Sequence, residues 1–157
     1  HRRCFKGARG TTRRRCRLCE GQSAPQRSIF RASHSSNTRN MPRITPLELK
    51  GPAGLLEAEL LEPKTPPVFV ATVAHPHPLY GGDMDHHVVD AAATAVERLG
   101  GAALRFNFRG TGRSEGRHDA GRGEVDDLAT CEQELSRRFP RLPRIGVGYS
   151  FGAVAPR

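Results

Sequence analysis

Apolar and polar residues alternate with a period of two near the start of the patterned region. In Ile44–Lys50 and Leu55–Leu61, leucine or alanine alternates with glutamate, which predicts an antiparallel hairpin with one face in water. The Gly-Pro-Ala-Gly segment between the two runs indicates a turn. Val68–Ala74 is a nearly continuous apolar run, as is typical of a strand buried on both faces, and Ala102–Phe108 predicts a second core strand. A shorter apolar run, Ile145–Tyr149, predicts the last strand.

Two segments between these runs have apolar residues spaced by three and four, which predicts helices. The first runs from about residue 85 to 99, with Asp83 or Asp85 as the N-cap and Leu99 on its apolar face. The second runs from about residue 123 to 138, with Val125 and Leu135 on its apolar side. Strands that alternate with helices predict an α/β fold whose sheet is mostly parallel, preceded by the antiparallel hairpin.

The charge of the chain divides it into two unlike parts. Residues 1–40 contain 11 of the 25 lysines and arginines but one of the 16 acidic residues, whereas residues 41–157 are close to neutral. We therefore predict a basic, disordered segment at 1–40 and a globular domain at 41–157. Translation from upstream of Met41 is the favoured origin of the segment, an Arg- and Ser-rich transit peptide is second, and a nucleic-acid-binding arm is the least favoured.

The sequence also bears on location and cofactors. No stretch has the apolar length that spans a bilayer, so we expect no membrane partner and a cytoplasmic protein, or an organellar one if residues 1–40 are a transit peptide. Cys16 and Cys19 have the spacing of a zinc-binding pair, but Cys4 and His34 do not complete a common zinc finger. We predict no metal site and no cofactor, and the sequence leaves the oligomeric state open.

The segment Gly-Tyr-Ser-Phe-Gly, residues 148–152, follows the last predicted strand. A strand, Gly-x-Ser-x-Gly and the start of a helix form the arrangement called a nucleophile elbow. Such a sharp turn brings the positions two before and two after Ser150 close to other backbone atoms, and Gly148 and Gly152 have no Cβ to clash there. The same pentapeptide also occurs in ordinary loops, so its interpretation depends on the segments before it.

Two other distinctive segments also follow predicted strands. One is His-Pro-His-Pro-Leu-Tyr-Gly-Gly, residues 75–82, and the other is the glycine-rich segment 109–116. Because ligand sites in such sheets lie beyond the carboxyl ends of the strands, we expect both segments to meet Ser150 at one edge. We expect His75 and His77 to shape their loop rather than to bind metal or act in catalysis. The glycine-rich segment is one residue off the dinucleotide-binding spacing, so a tight loop is favoured.

Together these three segments resemble those of small bacterial-type α/β-hydrolases, close to the serine aminopeptidase and dipeptidyl-peptidase-like hydrolases. The resemblance covers about residues 47–153 and includes Leu-Arg-Phe-Asn-Phe-Arg-Gly-Thr-Gly-Arg-Ser-Glu-Gly at 104–116. It implies the N-terminal part of the α/β-hydrolase fold, with Ile145–Tyr149 beside Val68–Ala74. It also implies a serine nucleophile, a triad in the order Ser, Asp, His, and hydrolysis of an ester, amide or related acyl bond in a small-molecule substrate.

The resemblance assigns roles to individual residues. Ser150 matches the nucleophile, and the backbone N–H of Phe151 matches one donor of the oxyanion hole. The family's second donor lies in the loop after the third strand, where prolines 76 and 78 have no N–H. Leu79 and Tyr80 are therefore the candidates, and Leu79 is preferred. The residues expected to shape the site are His75, His77, Tyr80, Gly148 and Gly152.

The sequence departs from the family after the serine. Residues 151–157 contain no histidine and no acidic residue, whereas the family's acid and histidine follow the nucleophile. We therefore expect the 157 residues to be an N-terminal portion of a serine hydrolase, inactive by itself. The alternative is a non-catalytic half-domain that acts as a binding module with a basic N-terminal arm.

Overall fold

Five strands form one mixed sheet in residues 42–154, the part of the chain that the structure, a computed structural model, describes. The strands are β1 (Arg43–Gly51), β2 (Gly54–Glu62), β3 (Phe69–Ala74), β4 (Gly101–Phe106) and β5 (Arg144–Gly148). Their spatial order is β1-β2-β4-β3-β5. β1, β2 and β4 pair antiparallel in succession, and β3 pairs parallel with both β4 and β5. The predicted fold class is confirmed, and so is the expected position of the last strand beside β3.

Helices cover both faces of the sheet. They are α1 (His87–Arg98), α2 (Arg122–Arg138) and the short α3 (Phe151–Val154). On one face, Val89 and Ala93 of α1 pack with the buried Val73 of β3. On the other, Cys131 and Leu135 of α2 pack in a second core cluster with side chains of β2, β3 and β4. None of the helices in residues 42–154 is long and apolar enough to cross a membrane.

Several predicted element ends are wrong. β4 ends at Phe106 rather than 108, since beyond it the Phe108 N–H donates to the ring of His75 instead of to a strand carbonyl. The N-cap of α1 is His86 and not an aspartate, because His86 Nδ1 accepts from the N–H of Val88 at 3.3 Å. Val68, predicted to begin β3, precedes the strand and is 64% exposed.

Two residues predicted to face the core do not. Leu99 lies past the end of α1 and is 74% exposed, because the helix ends at Arg98. Val125 is 38% exposed, whereas two acidic residues of the same helix, Glu124 and Asp127, are fully buried. Hydrogen-bonded carboxylates therefore form part of the buried face of α2, and the spacing of apolar residues does not predict them.

The predicted basic segment at 1–40 lies outside the described residues, together with Cys4, Cys16, Cys19 and His34. Its interpretations stay predictions. Among the described residues the one free cysteine, Cys131, is buried in the core under α2, and burial raises the pKa of its thiol well above the ordinary range.

Candidate active site

The loops that follow β3, β4 and β5 meet at one edge of the sheet, as the parallel pairing of these strands requires. Two hydrogen bonds from backbone N–H groups hold the ends of these strands and their loops together. The N–H of Phe108, after β4, donates to Nε2 of His75, after β3, at 3.0 Å. The N–H of Tyr149, after β5, donates to the carbonyl of Ala74 at 3.2 Å.

Ser150 occupies a strained turn between β5 and α3. Its φ is +53°, in the left-handed region that residues other than glycine rarely adopt, and Ser150 is exposed. A Cβ on Gly148 would lie 2.3 Å from the carbonyl oxygen of Gly152, and a Cβ on Gly152 would lie 2.6 Å from that of Ala74. A strained serine between two glycines that have no room for a side chain is typical of an elbow that exposes a hydroxyl to solvent.

The loop after β3 contains a single turn of 3-10 helix, Pro78–Tyr80. The N–H groups of Tyr80 and Gly82 both donate to the carbonyl of His77, at 3.1 Å each. The Leu79 N–H instead faces the side chain of His77, whose Nδ1 lies 3.3 Å away. That distance is long for an N–H hydrogen bond, so Leu79 holds the most weakly engaged of these three amides. The Leu79 side chain is 70% exposed.

His75 is fully buried and uses both ring nitrogens. Nε2 accepts from the N–H of Phe108, and Nδ1 lies 2.6 Å from the carbonyl of Pro76, to which it donates. This pairing requires the neutral tautomer with the proton on Nδ1. Burial lowers the pKa of His75, against the opposing effect of the Pro76 carbonyl. The ring has no free nitrogen to accept a proton from a substrate or from Ser150.

A cluster of four rings lies beside the elbow, and we call it the ring cluster: His77, Tyr80, His118 and Phe151. The ring of His77 is its centre, with centroids 4.8 Å from Tyr80, 4.9 Å from His118 and 4.7 Å from Phe151. The His118 ring also lies 5.5 Å from that of Phe151. The cluster thus joins the segments that follow β3, β4 and β5, with two of its four rings from the segment after β3.

The glycine-rich segment is held on the start of β2. Glu57 of β2 accepts from the side chain of Asn107, and from the backbone and guanidinium of Arg113, each at 2.8 Å. Burial opposes the ionisation of Glu57, but these hydrogen bonds hold its pKa below the ordinary value. A Cβ on Gly112, whose φ is +55°, would lie 2.3 Å from the Asn107 amide. The segment is a tight loop that closes one side of the edge.

Arg109 ties the loop after β4 to α2. Its guanidinium and backbone N–H both bind Asp127, with a shortest ion-pair distance of 2.8 Å, and the Asp127 side chain is fully buried. The hydrogen bond with Asp127 raises the pKa of Arg109, although burial acts the other way. The structure thus places Asp127 of α2 in a buried ion pair.

Sequence reasoning missed two residues of this edge. Asn107 joins the segment before α1 to β2, since its Oδ1 accepts from the N–H of Met84 at 2.8 Å while its amide donates to Glu57. His118 reaches the ring cluster from the loop after β4. The available signal was position alone, because both residues follow the same strand as the glycine-rich segment. Within residues 42–154, no group of three or more His, Cys, Asp or Glu side chains is arranged to hold a metal ion.

Comparison with known proteins gives related chains and structures, although no family model matches. The uncharacterized protein RP471 of Rickettsia prowazekii is 39% identical over 114 residues, which are 72% of this chain and 47% of that protein. A structure of an α/β serine hydrolase homologue from Coxiella burnetii matches with a TM-score of 0.69 and 38% identity, over 71% of this chain and 54% of that one.

A second structure, XC6422 of Xanthomonas campestris, is described as a member of the α/β serine hydrolases without a lid. It matches with a TM-score of 0.68 and 36% identity, over 72% of this chain and 53% of that one. The chain thus spans about half the length of these relatives. Over the described residues, the chain has the N-terminal part of the α/β-hydrolase fold and is similar to the small bacterial α/β serine hydrolases.

Proposed function

We propose that Ser150 is the nucleophile of a serine hydrolase that cleaves an ester, amide or related acyl bond of a small-molecule substrate without a cofactor. The observation that supports this most is the backbone of Ser150, whose φ of +53° is maintained between two glycines that approach the backbone closely. Such strain is retained when surrounding structure requires it, and it is common at catalytic positions. The similarity to α/β serine hydrolases favours the same role.

The proposed oxyanion hole uses two backbone N–H groups. Phe151 is the first residue of α3, so its N–H has no acceptor within the helix. Leu79 supplies the second donor, because the N–H groups of Tyr80 and Gly82 already bind the His77 carbonyl. A negatively charged oxygen is a stronger acceptor than a neutral imidazole nitrogen at 3.3 Å, so it would displace His77 from the Leu79 N–H. Loss of one such donor typically slows the reaction by about 100-fold or more.

Two histidines near this edge are already engaged, since both nitrogens of His75 bind backbone groups and Nδ1 of His86 accepts the N–H that caps α1. His77 and His118 precede Ser150 in sequence, whereas the histidine of the family's triad follows the nucleophile. Residues 151–157 contain neither histidine nor acid. We propose that the acid and the histidine of the triad belong to sequence beyond Arg157 in the complete protein, as the greater length of the relatives suggests. Without a base, a serine hydroxyl is a weak nucleophile.

Hydrolysis of a short-chain nitrophenyl ester by the complete protein tests this proposal. Ser150→Ala should reduce kcat/KM by at least about 1,000-fold, since removing a triad member leaves only binding and the oxyanion hole. Ser136→Ala is the matched control, because Ser136 lies on α2 and bonds the Arg144 side chain. Equal activity in the wild type and Ser150→Ala would exclude the assignment, and a folded but inactive wild type would favour the binding module.

A further inference from the structure

We propose that His118 is a positioning residue, whose ring fixes His77 and Phe151 so that the N–H groups of Leu79 and Phe151 point to one place. This inference rests on the proposed function, because it concerns the same oxyanion hole. The imidazole of His118 is the element of the ring cluster that comes from the loop after β4, and it contacts both neighbours, with centroid distances of 4.9 Å to His77 and 5.5 Å to Phe151.

The side chain of His118 lies against a buried carboxylate. Its Nδ1 lies 2.8 Å from Oε1 of Glu124, within ion-pair distance but without the alignment of a hydrogen bond. Glu124 is fully buried and accepts the N–H groups of Asp119 and Gly121, each at 2.8 Å. Burial opposes its ionisation, yet these backbone hydrogen bonds and the nearby His118 hold the Glu124 pKa below the ordinary value. The anchor is thus a fixed negative charge at the start of α2.

The backbone that carries His118 is also constrained. Gly116 and Gly121 have φ values of +86° and +91°, and Ala120 between them has +50°, a strained value for alanine. Strain of this kind persists where neighbouring contacts determine the conformation. The side chain of His118 is 16% exposed, so its ring has little freedom to leave the cluster.

The rings link directly to the two proposed donors. His77 is next to the 3-10 turn, and its Nδ1 is the current partner of the Leu79 N–H. Phe151 provides the other N–H, and its own ring contacts both His77 and His118. If the His118 ring is removed, the rings of His77 and Phe151 both lose a packing surface. The N–H groups of Leu79 and Phe151 are then no longer held in a fixed position relative to each other. A displacement of about 1 Å at such a site can reduce the rate by about 100-fold.

The experiment compares His118→Ala, His118→Phe and the matched loop control Arg117→Ala in the complete protein, by steady-state hydrolysis of a nitrophenyl ester. We expect His118→Ala to lower kcat by about tenfold to 100-fold with little change in KM. We expect His118→Phe to recover part of the lost kcat, because its ring keeps the packing on His77 and Phe151 but has no nitrogen to face Glu124. Arg117 is exposed, so its variant should match the wild type.

Three results would overturn the inference: an unchanged kcat in His118→Ala, an effect of that variant on KM alone, or no recovery of kcat in His118→Phe. Ser150-dependent activity in the wild type would still uphold the proposed function. If the wild type is inactive, crystal structures decide instead. The distance between the His77 and Phe151 ring centroids, 4.7 Å here, should lengthen in His118→Ala and not in His118→Phe. An unchanged distance in His118→Ala would contradict the positioning role independently of activity.

Discussion

The imidazole of His75 joins the ends of two parallel strands, because its Nε2 accepts the N–H of Phe108 at 3.0 Å inside the protein. The ring also packs edge-on against the Phe108 ring, with centroids 4.8 Å apart. A histidine therefore takes the place of a backbone acceptor where β3 and β4 diverge. The loops that follow β3 and β4 begin at this junction.

Replacing His75 with leucine should destabilise the protein. The variant would leave the buried Phe108 N–H without an acceptor, which typically costs about 1–3 kcal/mol. The free energy of unfolding in urea at pH 7 measures this loss. His87→Leu is the matched control, because His87 is exposed, and a surface change of this kind is expected to stay within about 0.5 kcal/mol. Equal losses in both variants would contradict the role given to His75.

The stability contributed by His75 should depend on pH. Its pKa is lower in the folded protein than the ordinary value of about 6.5, so the unfolded chain binds the proton more readily. The contribution is therefore present above about pH 6.5 and decreases as the pH falls below it. The difference in unfolding free energy between the wild type and His75→Leu should shrink from pH 7 to pH 5. A constant or increasing difference would show that His75 is protonated without cost in the fold.

The close approach at Gly152 gives a matched pair of glycine variants. In Gly152→Ala the new methyl group would lie 2.6 Å from Ala74 O and 2.7 Å from His75 O, both rigid backbone atoms. Overpacking of this kind typically costs about 1–3 kcal/mol, and it should also displace the elbow and reduce hydrolysis. In Gly146→Ala the methyl group would meet nothing within 4 Å. Thermal melts and ester hydrolysis compare the two, and a Gly152→Ala variant as stable and active as Gly146→Ala would contradict the elbow geometry.

Neighbouring aspartates on α2 provide a test of the buried ion pair. Asp127→Ala would leave the guanidinium of Arg109, 11% exposed, without its partner, and breaking a buried pair in this way costs about 3–5 kcal/mol. Asp126→Ala changes the same residue type at an exposed position one residue earlier and should change stability by less than about 0.5 kcal/mol. Denaturant unfolding distinguishes them. Similar midpoints for the two variants would show that the pair contributes little.

The strands were largely predictable from the sequence, because alternating and continuous apolar runs indicate them, and the resemblance placed β5 beside β3. The pairing of β2 with β4 was not predicted. The ends of the elements were less predictable. β4 ends where the Phe108 N–H donates to the ring of His75, a residue far away in sequence, and no local pattern indicates this contact. His86 caps α1 through a local contact in place of the expected aspartates, although histidine is not among the preferred capping residues.

The site was predictable to a similar extent. The meeting of the three loops follows from parallel strands, and the small residues around Ser150 indicate a tight turn. The buried carboxylates Glu124 and Asp127 were not predictable, because a period of apolar residues excludes charged ones from the core. Their partners, His118 and Arg109, lie in the preceding loop, and only the folded chain brings them together.

Covalent labelling of the complete protein with a fluorophosphonate probe tests directly whether Ser150 is the nucleophile. The adduct is then mapped by mass spectrometry. The probe reacts with an activated serine, so we expect a single adduct on Ser150 that is absent in Ser150→Ala and retained in Ser136→Ala. An adduct on another serine, or no adduct on a folded and cooperatively melting protein, would contradict the claim that Ser150 is the nucleophile.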